Sequence, residues 1–184
     1  MIARPTALVA AWIAMLLSIS TAQAQTWTPP LGIPAPPFGI VEKAPASPSP
    51  WTVPTTGFYY VDGSSPASTD TSNPLGTPAK PRASIPSSLP AGAVVELHGT
   101  YDFGHESPRT IVANGTATAP VYIRGASAAA KPFIRRGWEI KGNYVILENL
   151  EFGPNGQSNV GFLVLLSPIN HAAFRHSDLH GNLN

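Results

Sequence analysis

Two stretches near the end of the chain, YVILENLEFGPN at residues 144–155 and HAAFRHSDLHGN at residues 171–182, align at an offset of 27 residues (171 − 144). Both show apolar alternation, then a polar residue, then alternation again, with Asn149 aligned on His176. Such alternation is typical of strands. A polar residue between two short strands suits the bend of a stacked repeat. The repeat therefore predicts an all-β chain whose successive coils stack in parallel.

The alignment also predicts the register between the two copies. It sets three pairs side by side: Val145 with Ala172, Leu147 with Phe174, and Glu148 with Arg175. Neighbouring parallel strands lie about 4.8 Å apart, so the members of each pair are expected to be in contact. We expect the two apolar pairs to point inward, because an error of one residue would turn them outward.

The rest of the domain reads as short strands. Twenty-one Pro and sixteen Gly disfavour long helices, and residues 62–80 are rich in turn formers, which predicts a loop. The predicted strands are Phe58–Val61, 93–101, Val121–Arg124, Phe133–Arg136, Trp138–Lys141, Tyr144–Phe152, Gly161–Leu166 and Ala172–Leu179.

The N-terminal region predicts export. Residues 1–24 have the charged start, apolar middle and A-x-A end of a secretory signal peptide, and the apolar run is too short for a membrane span. Residues 25–57 are a proline-rich linker, and residues 58–184 form the folded domain. We therefore expect a secreted or periplasmic protein with no membrane segment after cleavage. It has no cysteine, so burial and hydrogen bonds must hold it together.

A net charge of +1 with only 11% charged residues excludes the basic surface of a nucleic-acid binder. Six sequence segments, in this order, resemble the N-terminal half of bacterial right-handed parallel β-helix proteins: YYVDGSS, GTPAKPRASIP, LPAGAVVELHGTYDF, GTATAPVYIRGA, KPFIRRGWEIKGNYVILENLEF and HAAFRHSDLHGN. That superfamily includes pectate-lyase-like, alginate-lyase-like and chondroitinase-B-like polysaccharide lyases. The resemblance implies a right-handed parallel β-helix and a polysaccharide partner.

In the lyases that the chain resembles, the catalytic Lys and Arg and any calcium-binding acids lie on later coils. No position here matches that motif, so no catalytic, cofactor-binding or metal-binding residue is assigned. The resemblance thus implies the first coils of an exported polysaccharide lyase, truncated before its catalytic coils and inactive alone. It leaves the cofactor open, with calcium as the candidate ion of the complete protein. The alternative is a non-catalytic β-helix for surface attachment or carbohydrate binding.

Two groups of residues are candidates for chemistry. The basic residues Lys131, Arg135, Arg136 and Lys141 would suit a uronate polymer, although a solvated face explains them more simply. His176, Asp178 and His180 alternate as metal ligands on a straight strand would, but the repeat places His176 at a bend.

Acidic residues offer two further hypotheses. Glu148 and Glu151 could be a glycosidase pair, yet a predicted bend separates them. Asp62 and Asp70 could bind calcium, but their spacing fits a solvated turn better. Residues 114–116 have the form of a glycosylation sequon and are interpreted as a turn before a strand.

Overall fold

The computed structural model describes residues 45–101, 110–135, 138–153 and 163–180, with the backbone alone for 163–167. All of them belong to the second of two compact units, Pro37–Asn184. The predicted signal peptide, the linker up to residue 44, and Arg136 lie outside the described residues.

The described residues form strands and turns and contain no helix, which confirms the all-β prediction. The strands in chain order are β1 (Phe58–Val61), β2 (Ser88–Leu89), β3 (Val94–Leu97), β4 (Thr100–Tyr101), β5 (Thr110–Asn114), β6 (Val121–Gly125), β7 (Phe133–Ile134), β8 (Trp138–Glu148), β9 (Glu151–Phe152), β10 (Leu163–Arg175) and β11 (Asp178–Leu179). Residues 62–80 carry no strand, as predicted.

The strands pair in parallel to form two sheets. The larger sheet has seven strands in the order β1-β3-β6-β8-β5-β2, with β10 also paired to β8. The first half of β8 pairs with β5 and its second half pairs with β6, so one long strand links two ladders and the sheet curls strongly into a half-barrel. The smaller sheet has the order β11-β9-β7-β4.

The predicted register is confirmed. In the pairing of β10 with β8, Ala172 lies beside Val145, Phe174 beside Leu147 and Arg175 beside Glu148. The two β8 apolar residues are buried in the main core, and their β10 partners pack against it, so the inward direction is also correct. Asn149 and His176 both have a φ of 54°, which places a bend at each of the two aligned polar residues.

Two predicted breaks between strands are wrong. Trp138–Lys141 and Tyr144–Phe152 were expected to be separate strands, but β8 runs on through Gly142, where φ is 105°. Likewise β10 extends from Leu163 to Arg175, with a register shift between Leu165 and Ile169. A Gly-Asn pair signals a turn in isolation, whereas here backbone pairing on both sides of the kink keeps the strand continuous.

The curled sheet carries packed apolar residues on both faces. Its inner face packs into the main core, whose largest side chain is the fully buried Trp138. Its outer face carries a smaller cluster, which we call the outer cluster: Phe58, Val94, Tyr122, Ile146 and Ala173. Residues 45–51, here called the strap, contact the sheet beside this cluster. Burial of one such apolar side chain contributes about 1.5–3 kcal/mol, so the outer face adds to stability as the core does.

The structure shows no helix among the described residues that has the length and apolarity needed to cross a membrane.

Candidate functional site

Four charged residues form a row across the outer face of the large sheet. Glu96 in β3 pairs in register with Arg124 in β6, Arg124 with Glu148 in β8, and Glu148 with Arg175 in β10. We call this row the charge ladder. The first three residues are only 4–6% exposed. Buried charges are costly unless they are paired, so the alternation of sign is what makes this row tolerable.

The charge ladder is held by direct contacts. Arg175 Nε donates to Glu148 Oε2 at 2.8 Å, and Arg124 Nη2 lies 3.7 Å from Glu96 Oε2. Opposite charges directly across neighbouring strands stabilise a sheet, and like charges there destabilise it. The charge ladder therefore favours this strand order over one that brings two carboxylates together.

The Glu96 end of the charge ladder has the most elaborate surroundings. Oε1 of Glu96 is 3.0 Å from Nε2 of His98, Oε2 accepts a hydrogen bond from the Ser47 hydroxyl, and the His98 ring stacks on Tyr60 at a centroid distance of 4.1 Å. Burial raises the pKa of Glu96, but the hydrogen bonds from His98 and Ser47, with the charges of His98 and Arg124, outweigh it and hold that pKa below its usual value. Burial also raises the pKa of Tyr60, helped by the negative charges of Asp62 and Glu96.

This arrangement predicts acid sensitivity. Because the folded state lowers the pKa of Glu96, its contribution to stability is present above the ordinary Glu pKa of about 4.3 and is lost as pH falls through the lower, folded value. We expect the urea midpoint of the wild-type chain to fall more steeply than that of Glu96→Gln below about pH 4.3. Ser47→Ala removes one donor and should give an intermediate slope. Equal slopes for the wild type and Glu96→Gln would contradict the assignment.

The structure separates the basic candidates. They are Lys131, Arg135, Arg136 and Lys141. Lys131 Nζ forms an ion pair with Asp178 at 2.7 Å, and the Arg135 guanidinium lies 5.1 Å from the centroid of the Phe133 ring. Both flank β7 in the small sheet, whereas Lys141 lies in β8 of the large sheet. The three described residues are thus divided between the two sheets, and the charge of Lys131 is already neutralised by Asp178.

The alternating histidines and aspartate also diverge. His176 lies at the predicted bend, Asp178 binds Lys131, and His180 Nε2 lies 3.1 Å from Glu151. Among the described residues, no three His, Asp or Glu side chains are grouped to hold a metal ion. The Glu148 and Glu151 pair is split as well, because Glu148 belongs to the charge ladder and Glu151 to the small sheet.

The remaining acidic candidates stabilise turns. Asp70 accepts hydrogen bonds from the backbone N–H groups of Ala83 and Ser84, both at 3.1 Å, and pairs with Arg82. Asp62 accepts from the N–H and hydroxyl of Ser64 at 3.1 and 2.6 Å. Asp62 thus stabilises its own turn, whereas Asp70 joins the loop to the residues that follow it.

Residues 114–116 precede β6, as predicted. Asn114 ends β5 and donates to the carbonyl of Leu89 at 3.3 Å, and the turn closes through reciprocal backbone hydrogen bonds between Thr116 and Ala119. The interpretation as a turn before a strand is confirmed.

An exposed polar row was not anticipated from the sequence. Asn114, Asn143 and Asn170 share one register position on neighbouring strands, and Asn170 Nδ2 donates to Asn143 Oδ1 at 3.0 Å. Beside them, Tyr144 stacks on His171 with a centroid distance of 4.2 Å. The sequence repeat could have predicted this pair, because Asn143 and Asn170 are separated by its offset of 27 residues.

No protein-family model, curated protein or solved structure matches the chain.

Proposed function

We propose that residues 58–180 are stacked coils of a right-handed parallel β-helix. The observation that carries this proposal is the pairing of β10 with β8 and of β11 with β9, both parallel and both at the 27-residue offset of the repeat. The aligned bends at Asn149 and His176 support it further, because each turns the chain from the large sheet to the small one. A stack of this kind adds one strand to each sheet with every coil.

The protein that contains these coils is an exported polysaccharide lyase that acts on an acidic polymer. This proposal is supported by the predicted signal peptide and by the six sequence segments that resemble those of parallel β-helix lyases. The coils serve as scaffold, and the catalytic groups lie elsewhere. Elimination requires a base, a leaving-group acid and neutralisation of the uronate carboxylate at one ring. The basic residues with described ion pairs, such as Lys131, Arg124 and Arg175, are already committed to carboxylates of this chain.

One observation favours a second candidate, a non-catalytic β-helix that binds carbohydrate. The exposed row of Asn114, Asn143 and Asn170 offers amides to sugar hydroxyls, and Tyr144 and His171 lie next to it. Amides and aromatic rings together are the groups that sugar-binding surfaces use. In this reading the same coils hold a polymer without cleaving it.

Both candidates make the same prediction for the activity of purified residues 25–184 and differ in the polymer binding that they predict. We expect no release of unsaturated uronides from pectate, alginate or chondroitin, with or without calcium, because losing one catalytic group typically costs a factor of about 100 or more. Ultraviolet absorbance of the unsaturated product measures this. Appearance of that product would contradict the scaffold assignment.

Affinity electrophoresis through the same polymers completes the test. Retardation that is lost in His171→Ala but kept in Val53→Ala, a change at an exposed residue away from the row, would favour the carbohydrate-binding candidate.

A further inference from the structure

The strap contacts the sheet through polar groups on one side. Arg124 donates from Nη1 to the Pro45 carbonyl at 2.6 Å and from Nη2 to the Ser47 hydroxyl at 3.1 Å, and that hydroxyl in turn donates to Glu96. Glu96 and Arg124 are buried, so the strap supplies the partners that a buried ion pair requires. Charge-assisted hydrogen bonds are roughly twice as strong as neutral ones, which makes these contacts specific anchors.

Its other end is anchored by an aromatic ring. Trp51 is only 8% exposed and meets the rings of Phe58 and Tyr60 edge to face, at centroid distances of 6.2 and 5.0 Å. Edge-to-face pairs contribute about 0.5–1.5 kcal/mol beyond the apolar area they bury. Its indole Nε1 has no hydrogen-bond partner among the described residues. Trp51 therefore acts as an apolar anchor.

From the first anchor to the last, residues 45–51, the strap has the sequence PASPSPW. Its prolines restrict φ in advance, so the segment loses little conformational entropy on docking. Among the described residues, no hydrogen bond between two backbone groups joins the strap to the strands, which means that the side chains of the sheet recognise it. This combination of a preformed proline-rich segment, a serine and an aromatic anchor is typical of a peptide bound in a groove.

We infer that the outer face of β1, β3 and β6 is a binding surface for a short proline-rich peptide with a serine and a following tryptophan. The strap occupies this surface in its own chain. Glu96 and Arg124 bind the serine hydroxyl, and Arg124 also binds a backbone carbonyl. The tryptophan packs against the rings of Phe58 and Tyr60. This surface lies on other strands than the exposed asparagine row, which belongs to β5, β8 and β10, and its assignment does not depend on the proposed function.

The test measures binding of a labelled peptide of residues 45–53 to the full chain by fluorescence anisotropy. The tethered strap competes at an effective concentration in the millimolar range, so the wild type should bind the peptide weakly. Ser47→Ala/Trp51→Ala weakens the strap and should bind it at least about tenfold more tightly. Trp51→Phe keeps the apolar anchor and should behave as the wild type. A peptide with alanine in place of tryptophan should not bind. Equal affinity of the wild type and a folded double variant overturns the inference.

A second measurement leaves the surface and the strap unchanged. A site-specific protease sequence is inserted after Val53, which is 64% exposed, and the chain is cut there. We expect the N-terminal fragment to co-elute with the domain in gel filtration and to be displaced by excess peptide. Separation of the fragment from a domain that circular dichroism finds folded would overturn the inference.

Discussion

Arg124→Met is expected to lower the free energy of unfolding by about 3 kcal/mol, because it removes the buried cation that pairs with Glu96 and lies in register beside Glu148. Arg124 is 6% exposed and lies in register between Glu96 and Glu148. Methionine fills much of the volume but supplies no charge. It also removes the hydrogen bonds to Pro45 and Ser47. Urea unfolding followed by intrinsic fluorescence measures the change.

Two controls separate the charge effect from packing. Arg175→Met removes the cation at the end of the charge ladder, where the side chain is 24% exposed and Glu148 still has Arg124 as a neighbour, so we expect a loss of only about 1–2 kcal/mol. Glu96→Gln added to Arg124→Met should restore part of the loss, because a neutral amide needs no counter-charge. A loss below about 1 kcal/mol for Arg124→Met would show that the carboxylates do not require it.

Gly142→Ala is expected to cost about 3–5 kcal/mol, which for a chain of this size can abolish folding. Gly142 lies at the kink of β8 with a φ of 105°, a conformation that side chains rarely adopt. An added Cβ would overlap the carbonyl oxygen of Ala113 on β5 and lie 2.8 Å from its carbon. Neither strand can move aside without losing backbone pairing on both sides. Thermal unfolding and soluble yield measure the effect.

Gly57→Ala is the matched control for this prediction. Its φ of 84° is also positive, but an added Cβ there meets nothing within 4 Å. It should therefore show the backbone strain alone, about 1 kcal/mol. If both variants lose the same stability, the close approach of β5 and β8 is not what requires glycine at position 142.

The sequence predicted the fold best where a pattern repeats. The register of Val145 with Ala172 could be found because apolar alternation occurs twice at one offset, and the bends at Asn149 and His176 followed from the same alignment. The kink at Gly142 could not be predicted from the sequence, because a strand that continues through a turn signal depends on neighbours that are distant in sequence. Strand β5 was missed for a similar reason, since its few residues are stabilised by pairing with β2 and β8.

The site was harder to predict than the fold. The partners in the charge ladder come from different strands, and nothing local marks Glu96 or Arg124 as buried. The proline-rich composition of residues 45–51 correctly indicated no regular structure, but it could not reveal the contact of Trp51 with Tyr60. Both features arise from tertiary packing, which local propensity does not record.

The alternation in the charge ladder limits how such a chain can grow or shrink in evolution. Loss of the segment that carries β6 would bring Glu96 directly beside Glu148, and duplication of β8 would set two copies of Glu148 side by side. Either event places like charges in contact on a buried face, and selection would act against it. Insertion or loss of two neighbouring strands of opposite sign keeps the order intact. The charge ladder thus favours gain or loss of its inner strands in pairs, because a pair of opposite sign preserves the alternation.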